Sequence, residues 1–203
     1  MNYLYVDLET NGLSVEHHEV TEISIIRCSD LKQMTRFIKI EHPEKTSPQA
    51  LAATGRTYAD LKRGISKEEA VNDCHNFILS DGAPSAEHRC FIGHNVWTFD
   101  RRFCIALWEK VGKVFPASYW LDTKPMAKEY TKKIGMVKPS LTLKSCLGIC
   151  NIKARGKEHT AVSDTQNGYI LYDYLKKQGI DHLQFIKKHE LEEQSNDEEE
   201  KND

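Results

Sequence analysis

The sequence predicts an α/β domain built on a mixed central sheet. Three observations carry that expectation. Residues 3–40 read as three β-rich segments joined by short loops, an antiparallel meander. Beyond them, short apolar runs alternate with segments of helical periodicity, the pattern that lays helices on the faces of a sheet. Finally, 203 residues, 39% of them hydrophobic, suffice for one core of ordinary size, and neither an internal repeat nor a linker divides them.

Each element has its own local signal. Residues 3–13 open as a buried strand, aromatic and branched, which Asn11-Gly12 stops. Residues 19–27, rich in Val and Ile, form a second strand, and Ser29-Asp30 turns the chain into a third over residues 34–40. From His42 onward Pro43, Pro48 and Gly55 punctuate short helical pieces. Residues 68–79 place Ala70, Val71, Cys74, Phe77 and Ile78 at helical spacing behind Ser66 as N-cap, and Asp81-Gly82-Ala83-Pro84 breaks that helix. A short strand is expected at residues 90–93, a helix at 99–111, and a brief strand at 119–121 before a helix starting near Asp122. Ser140 is expected to cap a further helix over Leu141, Leu143 and Leu147, ended by Gly148. A loop rich in Lys and Arg (153–157) leads into a long helix over residues 160–176. Leu183, Phe185 and Ile186 form a last amphipathic piece.

No stretch approaches the roughly 18 apolar residues of a membrane span. The chain enters a strand at once, leaving no room for a signal peptide, so a cytosolic (cytoplasmic) protein without a membrane partner is expected. Six cysteines are scattered without a C-x-x-C pair. Cys146 and Cys150 lie four apart, one helix face, but no second ligand pair accompanies them; buried reduced thiols are the expectation. The formal charge of -2 is unevenly spread. Of 28 Lys and Arg and 30 Asp and Glu residues, residues 190–203 hold one and eight, so the body carries 27 against 22. A mildly basic domain over residues 1–189 suits a polyanionic substrate. The acidic tail, 190–203, has too few apolar residues to fold and is expected to be disordered.

The first strand also carries chemistry. Asp7 and Glu9 stand at an i, i+2 spacing, which in a strand points both carboxylates to one face. Two like charges on an apolar strand repel and are costly to desolvate unless a cation joins them. A divalent cation that prefers oxygen ligands, Mg²⁺ or Mn²⁺, is the natural partner. The plainer reading is an edge strand with a solvated acidic face. Further acids follow downstream. Asp100, after His94-Asn95, falls in the first turn of a helix, where an acid is also favoured by the dipole alone. Asp164 lies about one turn inside the long helix, beside Val162 and Tyr169, where it is poorly solvated without a partner. His159 precedes it by five residues, in a loop that lets the ring hang over the same place. For His94 the plainer reading is a core histidine satisfied by backbone.

In order, then, the chain offers Asp7, Glu9, Asp100, His159 and Asp164. The D-x-E-T, H-N-x(3)-F-D and H-x(4)-D blocks resemble the three exonuclease motifs of the DnaQ-like DEDDh superfamily, which includes proofreading subunits, the TREX nucleases, RNase T and oligoribonuclease. The resemblance spans residues 3–172. Secondary matches are Glu22, Leu121-Asp122-Thr123, and Leu141-Thr142-Leu143 with Leu147-Gly148-Ile149. Two departures stand out. Three residues rather than two separate His-Asn from Phe-Asp, similar to the TREX branch. The family's usual His-Gly-Ile appears as Thr54-Gly55-Arg56, which puts that substrate contact in doubt.

The resemblance implies an RNase H-like exonuclease fold and a metal-dependent 3′–5′ exonuclease. It would act on single-stranded or frayed 3′ ends, with DNA preferred, and release nucleoside 5′-monophosphates. Asp7, Glu9, Asp100 and Asp164 would hold two Mg²⁺ (or Mn²⁺) ions, which together activate a water and stabilise the phosphoryl oxygens. His159 would be the general base, histidine being the side chain that titrates nearest neutral pH. Thr10, Gly12 and Leu13 would cradle the terminal nucleotide, with Leu13 as a wedge or else as ordinary core, and Asn95 would bond near the scissile phosphate. Trp97 is either a stacking platform or a helix-start anchor. Arg101 and Arg102 either meet phosphates or form a solvated helix face. A DNA polymerase or another replication or repair protein is the partner class implied, although no polymerase-binding peptide is recognisable. An exoribonuclease is the second reading, and a non-catalytic nucleic-acid-binding module the third.

Overall fold

The structure, a computed structural model, describes residues 1–189; the acidic tail, residues 190–203, lies outside the described residues. The acidic strand sits inside the sheet rather than at its edge. β1 (Asn2–Thr10) has β2 (Val20–Arg27) antiparallel on one side and β4 (Arg89–Gly93) parallel on the other. β3 (Gln33–Phe37) extends the meander beyond β2, β5 (Tyr119–Asp122) runs parallel to β4, and β6 (Ile186–Lys188) closes the far edge antiparallel to β5. The order is β3-β2-β1-β4-β5-β6, a mixed sheet of six strands.

Period-two alternation divides the core. Leu4, Val6 and Leu8 of β1 point with Ile23 and Ile25 into one layer, under α3 (Lys67–Leu79) and α4 (Asp100–Glu109). Between β3 and α3 lie the short α1 (Pro48–Thr54) and α2 (Tyr58–Leu61). Tyr5 points the other way with Ile26, Ile92 and Leu121, toward α5 (Thr123–Lys133), α6 (Leu143–Ile149) and α7 (Ala161–Lys177). A fully buried Leu or Ile contributes about 1.5–3 kcal/mol, and both layers are built from such residues. In the first layer the rings of Phe91, Trp108, Phe115 and Trp120 pack at centroid distances of 4.9–5.4 Å, stiffening the floor behind the site. In the second, α7 lies directly on β1: a Cβ at Gly168 would sit 2.1 Å from the Tyr5 hydroxyl.

Most elements form where the pattern predicts. Ser66 caps α3, Asp122 caps α5, and Thr160 caps the long α7. Four details differ from expectation. Thr142, not Ser140, caps α6, because the Leu141 carbonyl is taken by His94 (2.8 Å) and residue 141 stays outside the helix. Gly148 lies within α6 rather than ending it. The last amphipathic piece is a 3₁₀ turn, His182–Phe185, followed by β6, a run too short for its pattern to distinguish helix from strand. The third strand stops at Phe37, and Ile38 makes a single bridge to Ile65. All six cysteines are free thiols, five of them buried. No described helix is long and apolar enough to cross a membrane.

Candidate active site

β1 outruns its neighbour. It pairs with β4 only over Asn2–Tyr5, so Val6 to Thr10 continue past the end of that strand. An unpaired backbone N–H on this open edge needs a partner. Asp100 supplies it: its carboxylate accepts from the Leu8 amide at 3.1 Å, and the side chain is 5% exposed. The acid in the first turn of α4 is therefore drawn beside Asp7 and Glu9 by a backbone vacancy in the sheet. This is the C-terminal end of the parallel strands, where open α/β sheets leave their crevice.

The start of α7 closes the other side. Thr160 accepts from the Ser163 amide, and the Asp164 carboxylate accepts from the backbone N–H of His159 at 3.1 Å. His159 has φ +57°, a left-handed conformation costly outside glycine, and that bend aims its amide at Asp164. One ligand atom from each of Glu9, His159 and Asp164 lies within 4.8 Å of the others. Asp7, His159 and Asp164 line a cleft of about 460 Å³, with His94 and Leu143 on its walls and Glu158 at its rim.

The electrostatics are those of crowded, buried carboxyls. Burial, then the charges of Asp100, Asp164, Glu9 and Glu22, pushes the Asp7 carboxyl well above the usual carboxylate range. Burial and the Asp164 and Glu22 charges push Glu9 up to about 7, with Arg56 opposing. Burial pushes Asp100 up to about 7 against the hydrogen bonds from the backbone amides of Asp100 and Leu8. Asp164 is raised by burial, with His159 opposing. Among the described residues none of Asp7, Glu9, Asp100 or Asp164 has a Lys or Arg nitrogen within 4.0 Å. An all-oxygen donor set, crowded and without a cationic side chain, fits hard divalent cations.

Glu22 and Arg56 lie just behind this cluster. Glu22 stands opposite Glu9 in the β1–β2 register, on the same face, with no exposed surface. Its carboxylate is paired with the Arg56 guanidinium, which also donates to the Thr21 carbonyl (3.3 Å) and stacks over Phe37 at 5.0 Å. Even so, burial outweighs Arg56 and raises the Glu22 carboxyl. Gly55, at φ +67°, ends α1 with the left-handed turn that swings Arg56 inward. The residue that departs from the family's usual triplet thus neutralises a buried acid. Sequence reasoning marked both residues without pairing them; an acid among the branched residues Val20, Ile23, Ile25 and Ile26 of one strand was the available signal.

The exonuclease (RNase T) family model matches residues 4–172. The chain belongs to this family. It is a DEDDh-type member of the 3′–5′ exonuclease superfamily. No curated protein sequence matches the chain. Among solved structures it is similar to Escherichia coli exonuclease I in complex with a dT13 oligonucleotide (TM-score 0.70, 16% identity, 86% of this chain and 41% of that one). It is also similar to the zinc-bound form of the E. coli exonuclease I–single-stranded DNA complex (TM-score 0.71, 16% identity, 87% and 40%). A third is exonuclease I from Methylocaldum szegediense (TM-score 0.68, 20% identity, 87% and 40%). At these identities the likeness is one of fold, and the chain spans about two fifths of the length of those structures.

Beside these carboxylates lies a second cleft of about 530 Å³, lined by Glu9, Gly12, Leu13, Ala50, Thr54 and Phe99 among others. Leu13 is 80% exposed at its mouth, which excludes the core reading. Thr10 is buried and its hydroxyl donates to the Gly12 carbonyl (2.6 Å), so it shapes the turn. Gly12 is tightly backed: a Cβ there would meet the His18 ring at 2.1 Å. Asn95 is not brought to the carboxylate cleft. It adopts φ +67°, gives its amide to Asp122 (2.9 Å) and accepts from Lys124 (3.2 Å) in an adjoining groove. His94 is a structural histidine, donating to Leu141 and lying 3.0 Å from the Thr123 hydroxyl. Arg102 meets Glu16 at 3.4 Å on the exposed surface, while Arg101 stacks on Trp97.

Proposed function

We propose that the protein is a metal-dependent 3′–5′ exonuclease that removes nucleoside 5′-monophosphates from single-stranded or frayed 3′ ends, with DNA as substrate. The observation that carries this reading is the convergence of Asp7, Glu9, Asp100 and Asp164 with His159 in one cluster, of which Asp7, His159 and Asp164 line one cleft and Glu9 an adjoining open apolar cleft at Leu13. Asp7, Glu9, Asp100 and Asp164 would hold two Mg²⁺ or Mn²⁺ ions. When bound, these supply Lewis-acid stabilisation of the phosphoryl oxygens and lower the pKa of water.

The chain's own residues do the rest. Leu13 and Phe99 take the terminal nucleoside between apolar surfaces, and the backbone around Gly12 meets the sugar. The fixed turn at residues 10–12 holds that pocket without reorganisation on binding. The exposed His159 ring takes the proton of the attacking water at an imidazole nitrogen; the Asp164 carboxylate, bonded to its backbone amide, keeps the ring over the cleft. The carboxyl cluster itself repels a phosphate, so seating the scissile phosphate there requires the cations first, while the rest of the strand needs none.

The test is incubation of 5′-labelled DNA and RNA oligonucleotides with Mg²⁺, Mn²⁺ or EDTA, followed by product sizing. A metal-dependent ladder shortening from the 3′ end, faster on DNA, is expected. No shortening with either metal would overturn the nuclease reading, and faster loss of RNA would replace the sugar assignment.

A further inference from the structure

The loop from His94 to Phe99 borders three clefts at once. His94 lines the carboxylate cleft, Phe99 lines the Leu13 cleft, and Asn95, Trp97 and Thr98 line a third of about 620 Å³. The wall between the first and third is thin. His94 donates across it to Leu141, which faces the third cleft while Thr142 faces the first.

This third cleft is basic and aromatic. Lys124, Lys128 and Lys187 line it, and among the described residues none of the three has a carboxylate oxygen within 4.0 Å. Asp122, the one acid among the described residues lining it, is already engaged by the amides of Asn95 (2.9 Å), Trp97 (3.4 Å) and Lys124 (2.9 Å). Trp97 is half-buried, packed against the core on one side and open to the cleft on the other. The Arg101 guanidinium lies 4.4 Å from its ring centre and the Lys187 ammonium 5.1 Å. Phe185 adds a second ring.

We infer that this cleft is the track for the single strand upstream of the scissile phosphate, an assignment that rests on the nuclease reading above. Cations without a carboxylate partner beside a half-buried aromatic ring suit a ligand that alternates anions with flat π-systems, which is what a single-stranded nucleic acid presents. Continuity fixes the order: the terminal nucleoside at Leu13, the scissile phosphate at the carboxylates, and the following nucleotides past the His94–Leu141 wall onto Trp97. Lys187 is exposed on a flexible stem. A base displaces its ammonium from the ring and leaves it beside the flanking phosphate. The site therefore recognises strand length as well as the 3′ end.

Tryptophan emission gives a direct test, because Trp108 and Trp120 are fully buried and Trp97 is the third tryptophan of the chain. The full chain is titrated in EDTA with a twelve-nucleotide oligothymidylate and with a thymidine dinucleotide. The long strand is expected to quench the emission and the dinucleotide is not, and Trp97→Phe is expected to abolish the response. Trp97→Ala should weaken binding of the labelled twelve-mer about tenfold, the scale of one lost base stack. Lys128→Gln and Lys187→Gln should each flatten the salt dependence by about 0.7 in the log–log slope. With Mg²⁺, the ratio of twelve-mer cleavage to hydrolysis of the p-nitrophenyl ester of thymidine 5′-monophosphate should fall about tenfold in Trp97→Ala. No quench, a quench that survives Trp97→Phe, or an unaltered ratio would overturn the track. An emission that responds to salt alone and not to the oligonucleotide would overturn it and give the cleft to the acidic residues from Glu190. Quenching with no hydrolysis of either substrate would leave the track standing and overturn only the nuclease reading.

Discussion

Replacing Glu9 by Gln tests whether the cluster is strained by its own charge. The substitution keeps shape and removes the charge. Glu9 has its carboxyl raised from 4.5 in a free chain to about 7 in the fold, by burial and by Asp164 and Glu22. A carboxyl raised by folding binds its proton more tightly in the native state, so its sign is clear. Below about pH 4.5 it costs nothing; as pH rises through 7 the native state loses stability, up to about 3 kcal/mol at 1.36 kcal/mol per unit. For a domain of this size about 2–4 °C follows each kcal/mol, so Glu9→Gln should raise the melting temperature in EDTA at pH 8 by up to about 6–12 °C. At pH 5 the difference should shrink to a fraction of that. Adding Mn²⁺ at pH 8 should reverse the order, because cations that bind the native state stabilise it by mass action and the variant has lost a ligand. Thermal melts of both proteins at two pH values, with EDTA and with Mn²⁺, supply all four comparisons. A variant less stable than wild type in EDTA at pH 8, or a difference independent of pH, would refute the reasoning.

Three other outcomes are expected. Asp7→Ala and Asp164→Ala should each abolish cleavage while leaving the metal-free fold intact or slightly more stable, checked by oligonucleotide cleavage under saturating Mg²⁺ beside a melt; near-wild-type turnover would remove them from the site. His159→Ala should lose about 10²–10⁴-fold in single-turnover rate, recover partly as pH rises, and melt close to wild type; an early melt with an undiminished rate would make His159 a structural cap instead. Asp81→Asn should cost about 3–5 kcal/mol by chemical denaturation, because Arg89, itself buried, is held by Asp81 at 2.8 Å and would be left uncompensated, while turnover per folded molecule should hold.

What the sequence revealed and what it hid follow from how far each signal reaches along the chain. Asp7 and Glu9 were readable because period two in a strand sets side-chain direction without reference to anything distant. Asp100 and Asp164 were readable because each stands in the first turn of a helix whose start is marked locally, Asp164 by the Thr160 cap. The Glu22–Arg56 pair was not, since its partners lie 34 residues apart and meet only once α1 has folded over β2. Likewise, Ser140 was the expected cap of α6, and the place went to Thr142 because His94, 47 residues upstream, holds the Leu141 carbonyl. Asp122 was visible as the place where a helix starts, but its hold on Asn95 and Trp97 was not. The chemistry of the cluster is therefore written in local pattern, while the charges that neutralise and orient its surroundings are written in tertiary contact. That division places Arg56 behind the carboxylates and the lysines around Trp97 where a motif reading has least to say.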